Sequence, residues 1–202
     1  ISSELKERNI ILDETLAPVI KRVIHTSADF EYADSLYFSE HAMEQALAAL
    51  RNGACIVTDT KMAWSGINKR VLEQFGGQVY NFIGDEDVAT AAQSNGTTRS
   101  AASMDKAAAL NKPLIFAIGN APTALIRICE LYQKGALKPE LVIGAPVGFV
   151  NVIASKESIM QTDIPCIVAR GRKGGSNIAA AICNALLYLL DESRAQTYYT
   201  LH

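Results

Sequence analysis

Short, almost wholly apolar runs recur along this chain with helical segments between them, and no other feature narrows the possible folds as far. The runs are Cys55-Ile56-Val57-Thr58, Val79-Tyr80-Asn81-Phe82-Ile83, Leu114-Ile115-Phe116-Ala117-Ile118, Leu141-Val142-Ile143 and Cys166-Ile167-Val168-Ala169. Each is rich in β-branched or aromatic residues and lacks the polar alternation of a strand with one wet face. Strands of that kind are buried on both sides, which calls for a parallel sheet with helices on both faces.

The intervening segments supply those helices. Ser39 can cap a helix whose inward face is Ala42, Ala46, Ala49 and Leu50 and which ends at Gly53. Thr123 to Lys134 carries Leu125, Ile128, Cys129 and Leu131 at helical spacing and closes at Gly135. Ser176 to Leu190 is apolar over most of its surface, so it should pack between the sheet and something else, for which a second subunit is one candidate. Gln93 to Ser103, small and polar, reads as a mobile loop or as two short helices. No repeat or linker divides the chain. The expected fold is therefore a three-layer α/β/α domain over residues 1–202, built on a mostly parallel, about five-stranded, Rossmann-like sheet.

At 202 residues the chain can bury a sizeable core, and its net charge of −2 gives no general attraction to nucleic acid or anionic membrane. Any anion site must be local. No apolar run reaches the ~20 residues that cross a bilayer, and Ile1-Ser2-Ser3-Glu4-Leu5-Lys6 lacks the pattern of a signal peptide. Cys55, Cys129, Cys166 and Cys183 form neither a CxxC pair nor a disulfide rhythm, so buried free thiols in a reducing cytoplasm are expected.

Open α/β sheets bind ligands beyond the C-terminal ends of their strands, so the segments that follow the strands are the places to look for chemistry. Arg170 to Ser176 is the most suggestive of them. Its glycines expose backbone N–H groups, three cations lie among them, and a helix N-terminus follows, which together suit an anion. A glycine-rich turn with solvated cations fits the same composition. The loop matches neither GxGxxG nor GxxxxGK[ST], so a dinucleotide or P-loop assignment fails.

Outside the loops, Arg22 and His25 stand three apart on a helix begun near Pro18, with Leu16, Val19, Ile20 and Val23 as its apolar face. A cation beside an imidazole, with an anionic ligand opposite, suits a proton donor. An interface histidine beside a solvated arginine has the same spacing. His41 reads as a surface residue and His202 as a fraying end. Three histidines so placed make no metal site, and Asp85-Glu86-Asp87 reads as a helix N-terminus.

Taken together, Arg22-Val23-Ile24-His25-Thr26-Ser27-Ala28-Asp29-Phe30, Asp59-Thr60-Lys61-Met62, Gly96-Thr97-Thr98-Arg99-Ser100-Ala101-Ala102, Ile118-Gly119-Asn120-Ala121-Pro122-Thr123-Ala124-Leu125, Pro146-Val147-Gly148-Phe149-Val150 and Gly171-Arg172-Lys173-Gly174-Gly175-Ser176 resemble the precorrin-8 methylmutases of cobalamin biosynthesis. The stretches follow the family's order and cover nearly the whole chain. The resemblance implies an isomerase that moves a methyl from C-11 to C-12 of a corrin precursor, with no cofactor and no metal of its own. The family histidine falls on His25 as general acid and the arginine that contacts substrate on Arg22. Arg99 looks like a second contact. Thr60, Lys61, Asn120 and Arg172, within the matching stretches, are the other substrate-binding candidates. A substrate-contacting serine of the family falls ahead of Ile1. The His25 to Phe30 and Asp59 to Met62 stretches look more like the cobalt-first branch. A homodimer sharing its pockets is also implied.

The chemistry is consistent with those residues. Protonating a ring nitrogen makes the acceptor carbon more electron-poor, and one placed acid can contribute ~10²–10⁴-fold. Peripheral carboxylates need cations and N–H donors, which Arg22, Lys61, Arg99 and the Arg172-Lys173 loop could supply. Two other readings compete: a tetrapyrrole carrier without chemistry, and a nucleotide-binding protein using the Arg170 to Ser176 loop.

Overall fold

The computed structural model describes residues 1–191, and His202 lies outside them. The chain opens with α1 (Ser2–Glu7), α2 (Ala17–Ser27), α3 (Tyr32–Ser35), β1 (Leu36–Phe38) and α4 (Ala42–Arg51). Then come β2 (Cys55–Thr58), α5 (Lys61–Gly66), α6 (Lys69–Gln74), β3 (Val79–Tyr80), α7 (Glu86–Ser94) and α8 (Arg99–Ala108). It continues through β4 (Leu114–Ile118), α9 (Pro122–Gln133), β5 (Leu141–Gly144), α10 (Val152–Met160), β6 (Cys166–Ala169) and α11 (Ser176–Leu190).

The strands form one sheet in the order β1-β6-β5-β4-β2-β3. All neighbours pair in parallel except β1, which runs antiparallel to β6 with Leu36 opposite Ala169. Side chains alternate across the sheet as its period of two requires. Ile56, Ile115, Ala117, Ile143 and Ile167 pack with the layer that holds α2, α4, α6 and α11. Val57, Leu114, Phe116, Ile118 and Val142 pack with α7, α8, α9 and α10 on the other face. Phe116 sits between Val57 and Val142 in the central register and is fully buried, so truncation to Ala would cost ~3–5 kcal/mol.

The mostly parallel sheet is as expected, and its sixth strand, β1, is one that the sequence did not signal. Leu36-Tyr37-Phe38 is too short to signal a strand and is extended because it closes the open edge of β6. Val79 to Ile83 was expected to be a strand throughout, yet pairing stops at Tyr80. There Asn81 Nδ2 donates to Thr58 O at 2.9 Å, and Phe82 turns into the core. Ser39 is not the cap of α4: His41 holds that position at φ 58. Ser39 Oγ instead accepts the Cys166 N–H at 2.9 Å, securing the end of β1. Gln93 to Ser103 resolves into the end of α7 and the start of α8, joined by a turn with Gly96 at φ 60.

The expectation for Ser176 to Leu190 was half right. α11 is almost entirely buried, but by its own chain. It lies on β4 and β5 with α2, α4, α5 and α6 around it. Its buried Asn184 accepts from Asn68 N at 2.8 Å and donates to Gly66 O at 2.8 Å, so the polar side chain is satisfied. A second subunit is not needed to cover this helix. All four cysteines are buried and free, and burial raises the Cys129 and Cys166 thiols to about 11 and Cys183 to about 12. Among the described residues, no helix is long and apolar enough to cross a membrane.

Candidate active site at the C-terminal edge of the sheet

From β2 the chain moves outward to β3 and then crosses back to β4 on the other side of β2. The loops leaving β2 and β4 therefore diverge, and such a switch point is where parallel sheets receive ligands. Asp59 lies at that crevice, directly after β2, and is 2% exposed. Its Oδ1 accepts from Gly119 N at 2.9 Å, and its Oδ2 from Asn120 N at 2.8 Å and Ala121 N at 2.7 Å. Burial pushes the carboxyl above its ordinary range while the three N–H donors pull it back. One carboxylate thus fixes the loop that carries Asn120. Sequence reasoning missed this role, although a lone acid at the end of an otherwise apolar strand was the available signal.

Thr60 is a structural hub as well as a candidate contact. Its Oγ1 accepts from Ala63 N at 3.1 Å, capping α5, and lies 2.7 Å from Ser176 Oγ at the start of α11. Gly119 lets that helix approach: a Cβ there would sit 2.5 Å from the Ser176 Cα. The structure thus brings Thr60, Asn120 and the α11 N-terminus together. Lys61 is exposed beside them, with its ammonium against Gly84 of the loop after β3. Arg99 is exposed at the first position of α8. Thr98 caps that helix and meets Thr123 Oγ1 of α9 at 2.9 Å, which holds Arg99 at the same edge as Asn120.

The loop between β6 and α11 adds Arg172, exposed between Gly171 at φ 73 and Gly175 at φ 135. Lys173 was expected to join Arg172 in gripping an anion. Instead its ammonium lies 2.7 Å from Asp29 Oδ2 and 2.5 Å from Glu31 Oε2, so its charge is already matched. A second residue was missed here. Lys156 of α10 is buried and donates to Gly171 O and Lys173 O, both at 2.8 Å, and burial lowers its ammonium to about 8. A lysine between Ser155 and Glu157 reads as a solvated helix residue, so nothing in the sequence marked it.

His25 and Arg22 come from a different layer. Val19, Ile20, Val23 and Ile24 bury one face of α2 against α11, leaving His25 exposed in the last turn. Arg22 is half-buried, with its guanidinium carbon 4.7 Å from the centre of the Tyr188 ring. Ala28 ends the helix at φ 55, and the Lys173 ion pairs then tie Asp29 and Glu31 to the Arg172 loop. Those pairs link the segment that follows α2 to the Arg172 loop.

Two clefts lie nearby. One of about 490 Å³ runs between α1 and α2, and one of about 450 Å³ is lined by Arg8, Ala28, Asp29, Phe30 and Glu31 next to the end of α2. Thr60, Lys61, Arg99, Asn120 and Arg172 line neither of these two. His41 is exposed between Glu40 and Glu44, and Lys106 neutralises Asp85 and Asp87 at 2.8 and 2.7 Å. The arrangement as a whole offers exposed cations and fixed backbone around a broad edge, with one imidazole to the side. Such an edge suits a large anion.

Comparison with known proteins gives consistent results. The family model of the precorrin-8X methylmutases matches residues 1–189. A cobalt-precorrin-8 methylmutase of Salmonella typhimurium is 52% identical over 178 residues, covering 87% of this chain and 82% of that protein. A precorrin-8X methylmutase of Pseudomonas aeruginosa is 38% identical, covering 82% and 80%. The crystal structure of a precorrin-8X methylmutase from Thermus thermophilus superposes with a TM-score of 0.81 at 38% identity, covering 90% and 89%.

Proposed function

The chain belongs to the precorrin-8X methylmutase family, and from that premise we propose that it is the isomerase converting cobalt-precorrin-8 to cobyrinic acid by moving a methyl from C-11 to C-12. The observation that carries this reading is the convergence of Thr60, Lys61, Arg99, Asn120 and Arg172 on one sheet edge, tied through Lys173 to the segment that follows α2, whose last turn carries His25. Relatives with the cobalt-containing name reach 52% identity and the metal-free one cited is 38% identical, which favours the cobalt form as substrate.

In this reading the cations and the Asn120 loop hold the peripheral carboxylates and fix the ring, removing entropy from the barrier. His25 then donates a proton to the ring near the migrating methyl, and the flow of charge away from the acceptor carbon lowers the barrier. The product releases that proton, so the histidine is restored and the net reaction is an isomerisation. No redox cofactor enters, and cobalt belongs to the substrate. Arg22, packed on Tyr188 at the α2–α11 interface, would act mainly through the orientation of α2.

The enzyme is proposed to work in the cytoplasm as a homodimer. The dimer draws its support from the exposed Val147, Phe149 and Val150 beside Arg172, not from α11. Light scattering at micromolar concentration should give twice the chain mass; a monomer counts against it. Anaerobic incubation with cobalt-precorrin-8, followed by its visible spectrum, should show conversion. Binding without conversion would favour the carrier reading instead.

A further inference from the structure

Lys156 is a buried charge that the reaction just described leaves without a task. An ammonium inside a protein is costly unless it is hydrogen-bonded, and this one, 1% exposed, spends its donors on Gly171 O and Lys173 O at 2.8 Å each. Both carbonyls belong to the loop that carries Arg172. A trans peptide unit is planar, so the C=O of one residue and the N–H of the next point in opposite directions, and the described chain has no cis bond. Turning the Gly171 and Lys173 carbonyls inward therefore turns the N–H groups of Arg172 and Gly174 away from the interior.

The rest of the loop enforces the same arrangement. The Arg172 carbonyl accepts from Gly148 N at 3.2 Å, so three successive carbonyls are engaged. Gly174 packs so closely on Ala145 that a Cβ would lie 2.2 Å from its carbonyl oxygen, which blocks relaxation in that direction. Gly171, at φ 73, supplies the left-handed turn that lets neighbouring amides converge. Among the described residues, the N–H groups of Arg172, Lys173 and Gly174 have no acceptor.

We propose that Lys156 is a positioning residue for substrate binding: it draws two carbonyls inward so that the Arg172 and Gly174 amides, with the Arg172 guanidinium, form a carboxylate-binding concavity at the edge of the site. This rests on the reading of the substrate as a polycarboxylate corrinoid. A lysine suits the task because a single point charge with three donors reaches two carbonyls two residues apart.

Two measurements on the full chain test it. In the wild type, metal-free hydrogenobyrinic acid is titrated while amide NMR signals are followed, with its fully methyl-esterified form as control. The acid should move the Arg172 and Gly174 amides downfield and the ester should not; two stationary amides overturn the proposal. In Lys156→Met, KM should rise about tenfold, the loss of one charge-assisted hydrogen bond, while kcat changes less than about twofold. The preference for acid over ester as inhibitor should fall in step. A fall in kcat at constant KM, or an unchanged preference, overturns it. If the Met variant does not fold, Lys156→Gln takes its place, and if neither folds, the wild-type spectra decide alone. If the wild type fails to convert cobalt-precorrin-8 while the acid still moves both amides, the isomerase reading fails and the positioning role stands.

Discussion

The two sides of the candidate site are built on opposite principles. The switch-point loops are held by buried charges: Asp59 gathers three N–H groups of the Asn120 loop, and Lys156 gathers two carbonyls of the Arg172 loop. The His25 side is held by an apolar helix face and by ion pairs at the surface. Buried polar contacts fix geometry but leave a large penalty when one partner goes. An exposed side chain on an amphipathic helix can be replaced almost freely. The loops that present the proposed substrate contacts are thus built into the fold, while the proposed proton donor is an addition to it.

That contrast predicts a separation of activity from stability. His25→Ala should lower turnover by ~10²–10⁴-fold while shifting unfolding free energy by less than ~0.5 kcal/mol. Single-turnover spectra and urea melts would check the two halves. A variant that keeps near-normal turnover would remove the assigned acid.

Asp59→Asn should behave the other way round. The amide oxygen can still accept from the Asn120 and Ala121 N–H groups, but its NH₂ then faces the Gly119 N–H, so two buried donors, that N–H and the new NH₂, have no acceptor. At ~1–3 kcal/mol each, the loss is about 4 kcal/mol, read as a lower urea midpoint with unchanged slope. Activity should fall too, through KM, because the Asn120 loop is no longer fixed. A variant as stable as wild type would show that the loop holds its shape without the carboxylate.

How much of this was legible beforehand follows the same division. Strands such as Leu114–Ile118 announce themselves because burial on both faces leaves an apolar signature that local sequence alone can carry. Thr60 and Asn120 were legible through resemblance. Asp59 and Lys156 were not singled out, because their roles depend on loops 60 residues away for Gly119 and 15 for Gly171. Nor could spacing reveal that Lys173 is occupied by Asp29 and Glu31, or that α11 is covered by its own chain. Each of these facts is set by topology, which brings distant segments together.

Lys156 offers a third, smaller way to sharpen the comparison. Burial alone lowers its ammonium from the ordinary 10.5 to about 8. Between those values the unfolded chain holds more protons than the folded one, so stability should rise as pH goes from about 8 to about 10.5. Below about 8 both forms are protonated, and the full cost of burying the charge applies. The displacement corresponds to at most roughly 3 kcal/mol. Lys156→Met should flatten this part of the pH–stability curve, even as KM worsens. A curve unaltered by the substitution would place the titration elsewhere.

The smallest effect belongs to the link between the two sides. The Lys173 ammonium, and after it the Glu31 N–H, hold the Asp29 carboxyl below its ordinary range, with burial weakly opposing. A depressed folded value means that the contribution is present above the unfolded value, near 3.8, and is lost as pH falls through the lower folded one. Lys173→Met removes the main cause, so Asp29 should titrate closer to an ordinary aspartate by carboxyl NMR. Because both partners are substantially exposed, the melt should move little, and added salt should erase what difference there is. Turnover is the sharper readout. If α2 is placed by its apolar face, Lys173→Met leaves kcat near wild type. A loss approaching that of His25→Ala would mean that the surface pairs, not the packing, hold the imidazole over the ring, and the contrast between the two sides would fail.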